Sequence, residues 1–191
     1  MDRYYIDNYL YTHREDIRGH VLEIGDDTYT TRYGVGQVVI SDVLHVADGN
    51  PKATIIADLT FAENIPSDTF DCIIVTQTLQ YIYDVQTAIY TLHRILKPGG
   101  ALLASLPGIA AISRYDMDNW GEYWRFTSMS TRRLFESVFP SDNVDVQTHG
   151  NMLTAIAFLL GLASEELGKN ELDYCHPDFQ LLHTVRAVKL T

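Results

Sequence analysis

Cysteine is scarce in this chain: 191 residues hold two, Cys72 inside an apolar run and Cys175 near the far end. The pair forms neither a metal-ligand spacing nor a disulfide framework, so no metal is expected and a reducing, cytoplasmic setting is the expectation. Basic charge is short as well. Fourteen Lys and Arg stand against 25 Asp and Glu, for a formal charge of -11, which opposes the phosphate neutralisation on which nucleic-acid affinity rests. The basic residues are scattered, Arg132-Arg133 being the only adjacent pair. Neither nucleic acid nor an anionic membrane is an expected partner. No apolar run approaches the roughly 18 residues that cross a bilayer, and Met1-Asp2-Arg3-Tyr4-Tyr5 has none of the basic and apolar character of a signal peptide. Repeats and low-complexity segments are missing too. Residues 1–191 are expected to form one domain, long enough to bury about 70% of the surface of the unfolded chain.

What the sequence does contain is alternation. Ile6, Leu10, His13 and Ile17 recur at helical intervals, with Tyr5 and Tyr9 beside them, predicting a helix over 3–17 that ends near Gly19. Short apolar strands follow at 21–24, 38–40 and 53–57, trailed by Asp26, Asp42 and Asp58. Residues 70–75 read as a strand covered on both faces, 84–97 as a helix stopped by Pro98-Gly99-Gly100, and 101–106 as a fifth strand. A helix near 130–138, a strand near 144–148, an apolar helix over 151–166 inside an insertion reaching 178, and a last strand near 180–189 complete the pattern. Strands alternating with helices predict an α/β fold, an open and mostly parallel sheet with helices on both faces. Only Thr30 to Gly36 lie between Tyr29 and Gln37, and Asp48-Gly49-Asn50-Pro51 breaks the next connection, so the helices of the first half are expected to be shortened.

Val21-Leu22-Glu23-Ile24-Gly25, followed in order by Phe70-Asp71-Cys72-Ile73-Ile74-Val75 and by Leu96-Lys97-Pro98-Gly99-Gly100, resembles the class I S-adenosylmethionine-dependent methyltransferases, with their Rossmann-like sheet. The family's usual first loop is Gly-x-Gly-x-Gly; here Asp27 and Tyr29 stand at the second and third glycines. The resemblance implies S-adenosylmethionine as cofactor. It places Glu23, Gly25 and the neighbouring Asp26 at the methionine end, and Asp42, 19 residues after Glu23, at the ribose hydroxyls, where a carboxylate offers paired acceptors. It further sets Asp58 and Leu59 at the adenine and Gln77 at the methionine end or the substrate.

Residues 113–127 hold both tryptophans, and their Tyr-Trp-Arg-Phe-Thr run resembles methyltransferases of glycan and natural-product pathways. Tyr115, Trp120, Tyr123, Trp124 and Arg125 are the expected substrate side, since aromatic rings form an apolar wall and a guanidinium can fork an anion; the alternative is a loop pinned to the core by its aromatics. Asp116 or His149 is the expected base. The function expected is methyl transfer to an oxygen or nitrogen of a small molecule, a sugar or natural-product intermediate among the candidates. Two alternatives stand beside it: an inactive binding or assembly module, and a domain that uses the cofactor for another reaction. Helix 151–166 is expected to roof the substrate pocket, to pair two copies of the chain as a homo-oligomer, or simply to pack in the core.

Overall fold

The computed structural model describes residues 1–191, and in it the chain forms one seven-stranded sheet of order β3-β2-β1-β4-β5-β7-β6. The strands are β1 (Gly19–Ile24), β2 (Val38–His45), β3 (Ile55–Ile56), β4 (Phe70–Thr76), β5 (Leu96–Pro107), β6 (Val144–His149) and β7 (Leu182–Val188). All neighbours are parallel except β7, antiparallel to both β5 and β6. The centre of the sheet, β4 and β5, is buried on both faces, and its strands read as continuous apolar runs for that reason.

Helices cover the two faces unequally. On one side α3 (Val85–Ile95) presents Ala88, Ile89, Leu92 and Ile95 to the sheet, and α5 (Ser128–Glu136) adds Phe135. On the other, α1 (Asp2–Thr12) buries Tyr5, Ile6, Tyr9 and Leu10 against Val21, Cys72, Ile74 and Leu103. The Tyr9 hydroxyl donates to the Val185 carbonyl at 2.6 Å, and Arg186 forks onto Asp16 at 2.7 and 2.9 Å, so the first helix and the last strand are tied together. Helix α2 (Thr28–Tyr33) has six residues, and no helix lies between β2 and β3. The shortening of the first half is thus present as read, α2 keeping less than two turns.

Several boundaries differ from the sequence reading. The first helix stops at Thr12 and runs into a 3-10 turn at Arg14–Asp16. The second strand continues five residues past 40, through Ser41 and Asp42 to His45, because β1 supplies backbone partners as far as Leu44 and β3 pairs with His45. Helix α5 starts earlier, capped by Thr127 and Ser130 acting reciprocally. The predicted helix over 151–166 is α6 (Met152–Leu159), one side of it exposing Met152, Leu153, Ile156 and Leu159, so it forms neither a fully buried core element nor a roof. Two short helices, α4 (Arg114–Asn119) and α7 (Lys169–Asp173), complete the fold.

Candidate functional site

Open α/β sheets bind ligands beyond the carboxyl ends of their strands, where the strand order reverses. Here that point lies between β1 and β4, and two adjoining cavities occupy it, sharing Ile24, Gly25, Thr76 and Gln77. The larger, about 610 Å³, is walled by Leu44, His45, Ala57, Asp58 and Leu59 at one end and by Tyr81, Tyr83, Asp116, Trp120 and Tyr123 at the other. The smaller, about 300 Å³, lies against α1 and is lined by Asp2, Arg3, Glu23, Asp26, Thr28 and Tyr29.

Gly25 sits where β1 ends, at φ 91°, a conformation side chains resist. A Cβ there would meet nothing within 4 Å, so the glycine serves the turn and leaves open space above it. Its carbonyl accepts from Asn50 Nδ2 at 2.6 Å. The two residues at the missing glycines behave differently. Asp27 turns out of the cleft to pair with Lys52 at 2.6 Å and adds no charge inside. Tyr29 lines the smaller cavity, its ring stacked parallel to Tyr33.

Glu23 is buried, and its two oxygens accept the backbone N–H groups of Tyr29 and Thr30 at 3.1 and 2.7 Å. It therefore takes the free amides at the start of α2 for itself. Burial pushes its carboxyl up to about 7, the amide hydrogen bonds only partly opposing. Gln77 leaves β4 at φ 46°, one of two non-glycine residues in the left-handed region, and stands between the two cavities. A strained residue at such a joint is characteristic of ligand sites. Asp58 lines the larger cavity while its Oδ1 accepts from the Thr60 backbone and hydroxyl, both at 2.8 Å, and Leu59 is buried beside it.

Asp42 is not at this site. It lies mid-strand opposite Leu22, bonded to His20 Nε2 at 2.6 Å and to Thr54 Oγ1 at 2.7 Å. A spacing counted from Glu23 could not show that β2 runs three residues further; His45 and Val46 are what face the cavity at the strand end.

The aromatic segment also divides. Asp116, Trp120 and Tyr123 line the larger cavity; Asp116 Oδ2 accepts from the Tyr81 hydroxyl at 3.1 Å, and the Trp120 ring meets His45 edge-on at 5.6 Å across the mouth. Tyr115 is largely exposed on α4 and lines no part of it. Trp124 donates its indole N–H to the Ile82 carbonyl and stacks on Tyr83. Arg125 is spent inward, on the carbonyls of Ala110 and Ala111 and on Glu122 at 2.7 Å, leaving no free fork for an anion. The pinned-loop alternative describes these two.

His149 lies outside both cavities. It is at the end of the edge strand β6, stacked on Tyr5 and bonded to Thr184 Oγ1 at 2.9 Å, and burial lowers its pKa to about 4. No group of three or more His, Cys, Asp or Glu is arranged to hold a metal ion, and no helix is long and apolar enough to cross a membrane.

Residues of the site that carried no sequence signal include His45, Tyr81 and Arg3, the one Lys or Arg along either cavity. Arg3 reaches the cleft only because α1 packs beside β1, and Tyr81 only because a 3-10 turn follows β4.

Residues 35–104 match the family described as "Methyltransferase domain". Over 88 residues the chain is 32% identical to the ubiquinone/menaquinone biosynthesis C-methyltransferase UbiE of Haemophilus ducreyi, a match covering 46% of this chain and 28% of that protein, so it spans less than a third of the relative. Among solved structures, phosphoethanolamine N-methyltransferase 2 of Haemonchus contortus in complex with S-adenosyl-L-methionine superposes with a TM-score of 0.60 at 14% identity, over 91% of this chain and 49% of that one. The [4+2]-cyclase SpnF superposes with a TM-score of 0.62 at 13% identity, over 97% and 80%. The chain thus carries a stretch similar to a methyltransferase domain and has the fold of the solved S-adenosylmethionine-dependent methyltransferases, its strand order reversed between β1 and β4 and closed by an antiparallel β7.

Proposed function

We propose that the protein binds S-adenosylmethionine across the two cavities and transfers its methyl group to an oxygen or nitrogen of a small molecule. The observation that carries this reading is the division of polarity at the β1–β4 switch point. The smaller cavity offers one cation, Arg3, and three acids, Asp2, Glu23 and Asp26, which suits an amino acid end bearing both a carboxylate and an ammonium. The larger offers apolar Leu44, Ala57 and Leu59 beside the Asp58 turn, which suits a nucleoside, with His45 at the sugar. Gly25 and Gln77 stand where the two parts join. The donor set fits the cofactor, which supplies when bound a methyl group on cationic sulfur. The protein's part is then positioning and exclusion of water: Gln77 orients, Trp120 and Tyr123 wall the acceptor, and Asp116, steadied by Tyr81, takes its proton.

Calorimetric titration with S-adenosylmethionine and S-adenosylhomocysteine tests the reading. Binding that weakens about tenfold or more in Arg3→Ala supports it. No heat at millimolar ligand would leave the inactive binding module instead, and cofactor binding without methyl transfer to any acceptor would leave the cofactor in another reaction, the fold being shared with a cyclase. We also propose self-association through α6 and the turn after it, where Met152, Leu153, Ile156, Leu159 and Leu160 form an exposed apolar row.

A further inference from the structure

We propose that the acceptor is an amine, held through a cationic or N–H-bearing nitrogen at the aromatic end of the larger cavity; this rests on the methyl-transfer reading and narrows it. The walls of that cavity carry three carboxylates, Asp58, Asp84 and Asp116, and neither lysine nor arginine. The nearest candidate to balance them, Arg125, is turned onto backbone carbonyls and Glu122. A carboxylate or phosphate acceptor would therefore enter among like charges with nothing to pair with, whereas an ammonium is favoured.

The three acids are not equivalent. Asp58 is engaged by Thr60, and Asp84 caps α3, accepting the backbone and hydroxyl hydrogens of Thr87. Asp58 and Asp116 each keep one oxygen free, and of the two only Asp116 lies on the aromatic side, its Oδ2 receiving the Tyr81 hydroxyl and its Oδ1 no hydrogen bond. Around it stand Tyr81, Tyr83, Trp120 and Tyr123, with Tyr83 and Tyr123 packed edge to face at 5.3 Å. Aromatic faces with a carboxylate among them attract a cation both through the ring quadrupoles and through charge. The same walls give a neutral alcohol at most a hydrogen bond to Asp116 and apolar contact, without the charge attraction or the cation–π contact, so the arrangement discriminates by the charge on the acceptor.

The test uses three probes of one size and different charge, 2-phenylethylamine, 2-phenylethanol and phenylacetate, titrated at pH 7.5 into the full chain saturated with S-adenosylhomocysteine and into the chain alone. Binding is read by calorimetry and by quenching of tryptophan fluorescence in a Trp124→Phe background, which leaves Trp120 as the reporter. The amine is expected to bind at least about tenfold more tightly than the alcohol, with no saturation by phenylacetate, and Asp116→Asn is expected to bring the amine to within about twofold of the alcohol. Retained S-adenosylhomocysteine binding and an unchanged thermal midpoint in Asp116→Asn control for misfolding of that variant. Phenylacetate binding as tightly as the amine, a preference that survives Asp116→Asn, or no saturable binding of any probe at about 10 mM overturns the proposal. Because the homocysteine titration is read separately, loss of the cofactor reading with amine binding intact is distinguishable from the reverse.

Discussion

Glu23 sets two requirements at one residue. Its carboxyl is raised from 4.5 to about 7 by burial, so between those values the folded chain holds a proton that the unfolded chain releases. Stability from this site is present below about pH 4.5 and falls as pH rises through 7. Thermal unfolding between pH 4.5 and 8 should show that decline in the wild type, on the order of 2 kcal/mol, and a flatter profile in Glu23→Gln. The variant also offers one acceptor to two N–H groups, so it should be less stable by about 1–2 kcal/mol at pH 5. Asp42 supplies the opposite case. The family resemblance places it at the ribose; its position beside His20 and Thr54 predicts that Asp42→Asn changes affinity for S-adenosylhomocysteine by less than about twofold, as measured by calorimetry. A loss of tenfold would return it to the cofactor site. Arg125→Ala should act on the loop: four inward hydrogen bonds and ion-pair contacts disappear, and the thermal midpoint should drop by several degrees with acceptor preference retained.

At the scale of elements, what could be read in advance follows from burial. Strands β4 and β5 are covered on both faces and announce themselves as apolar runs, and the Pro98-Gly99-Gly100 turn is visible at its place between α3 and the strand's buried part. Strand β2 could not be read to its end, because it lies beside a two-residue neighbour and leaves Val39 and Ile40 exposed while Asp42 interrupts the apolar pattern. Its length is set by pairing with β1, a long-range property. The site was legible where it depends on strand ends, as with Gly25, Asp58 and Gln77. It was illegible where side-chain direction decides, as with Trp124, Arg125 and His149, whose partners lie 42, 14 and 35 residues away in the chain. Helix α6 yields its own prediction. If its exposed row is a pairing surface, Ile156→Lys with Leu160→Lys should abolish concentration-dependent sedimentation while leaving the unfolding temperature within a few degrees.

For the whole molecule, the arrangement of strands places both cavities beyond the carboxyl ends of its central strands, and the contact between Trp120 and His45 spans the mouth of the larger one. Trp120→Ala should open that mouth and speed dissociation of a bound ligand more than it slows association, a difference that stopped-flow fluorescence in the presence of an extrinsic reporter resolves. The tie between the first helix and the last strand has a consequence in time. Arg3 is brought to the cofactor cleft by α1, and α1 is fixed by Tyr9 to Val185 and by the neighbouring Asp16 to Arg186, across sequence separations of 176 and 170 residues. During synthesis α1, which lines the cleft, is made well before β7, which holds that helix in place. A ligand of the cleft therefore finds no finished site until β7 has been released, and it can select folded molecules without guiding the earlier steps by which they form.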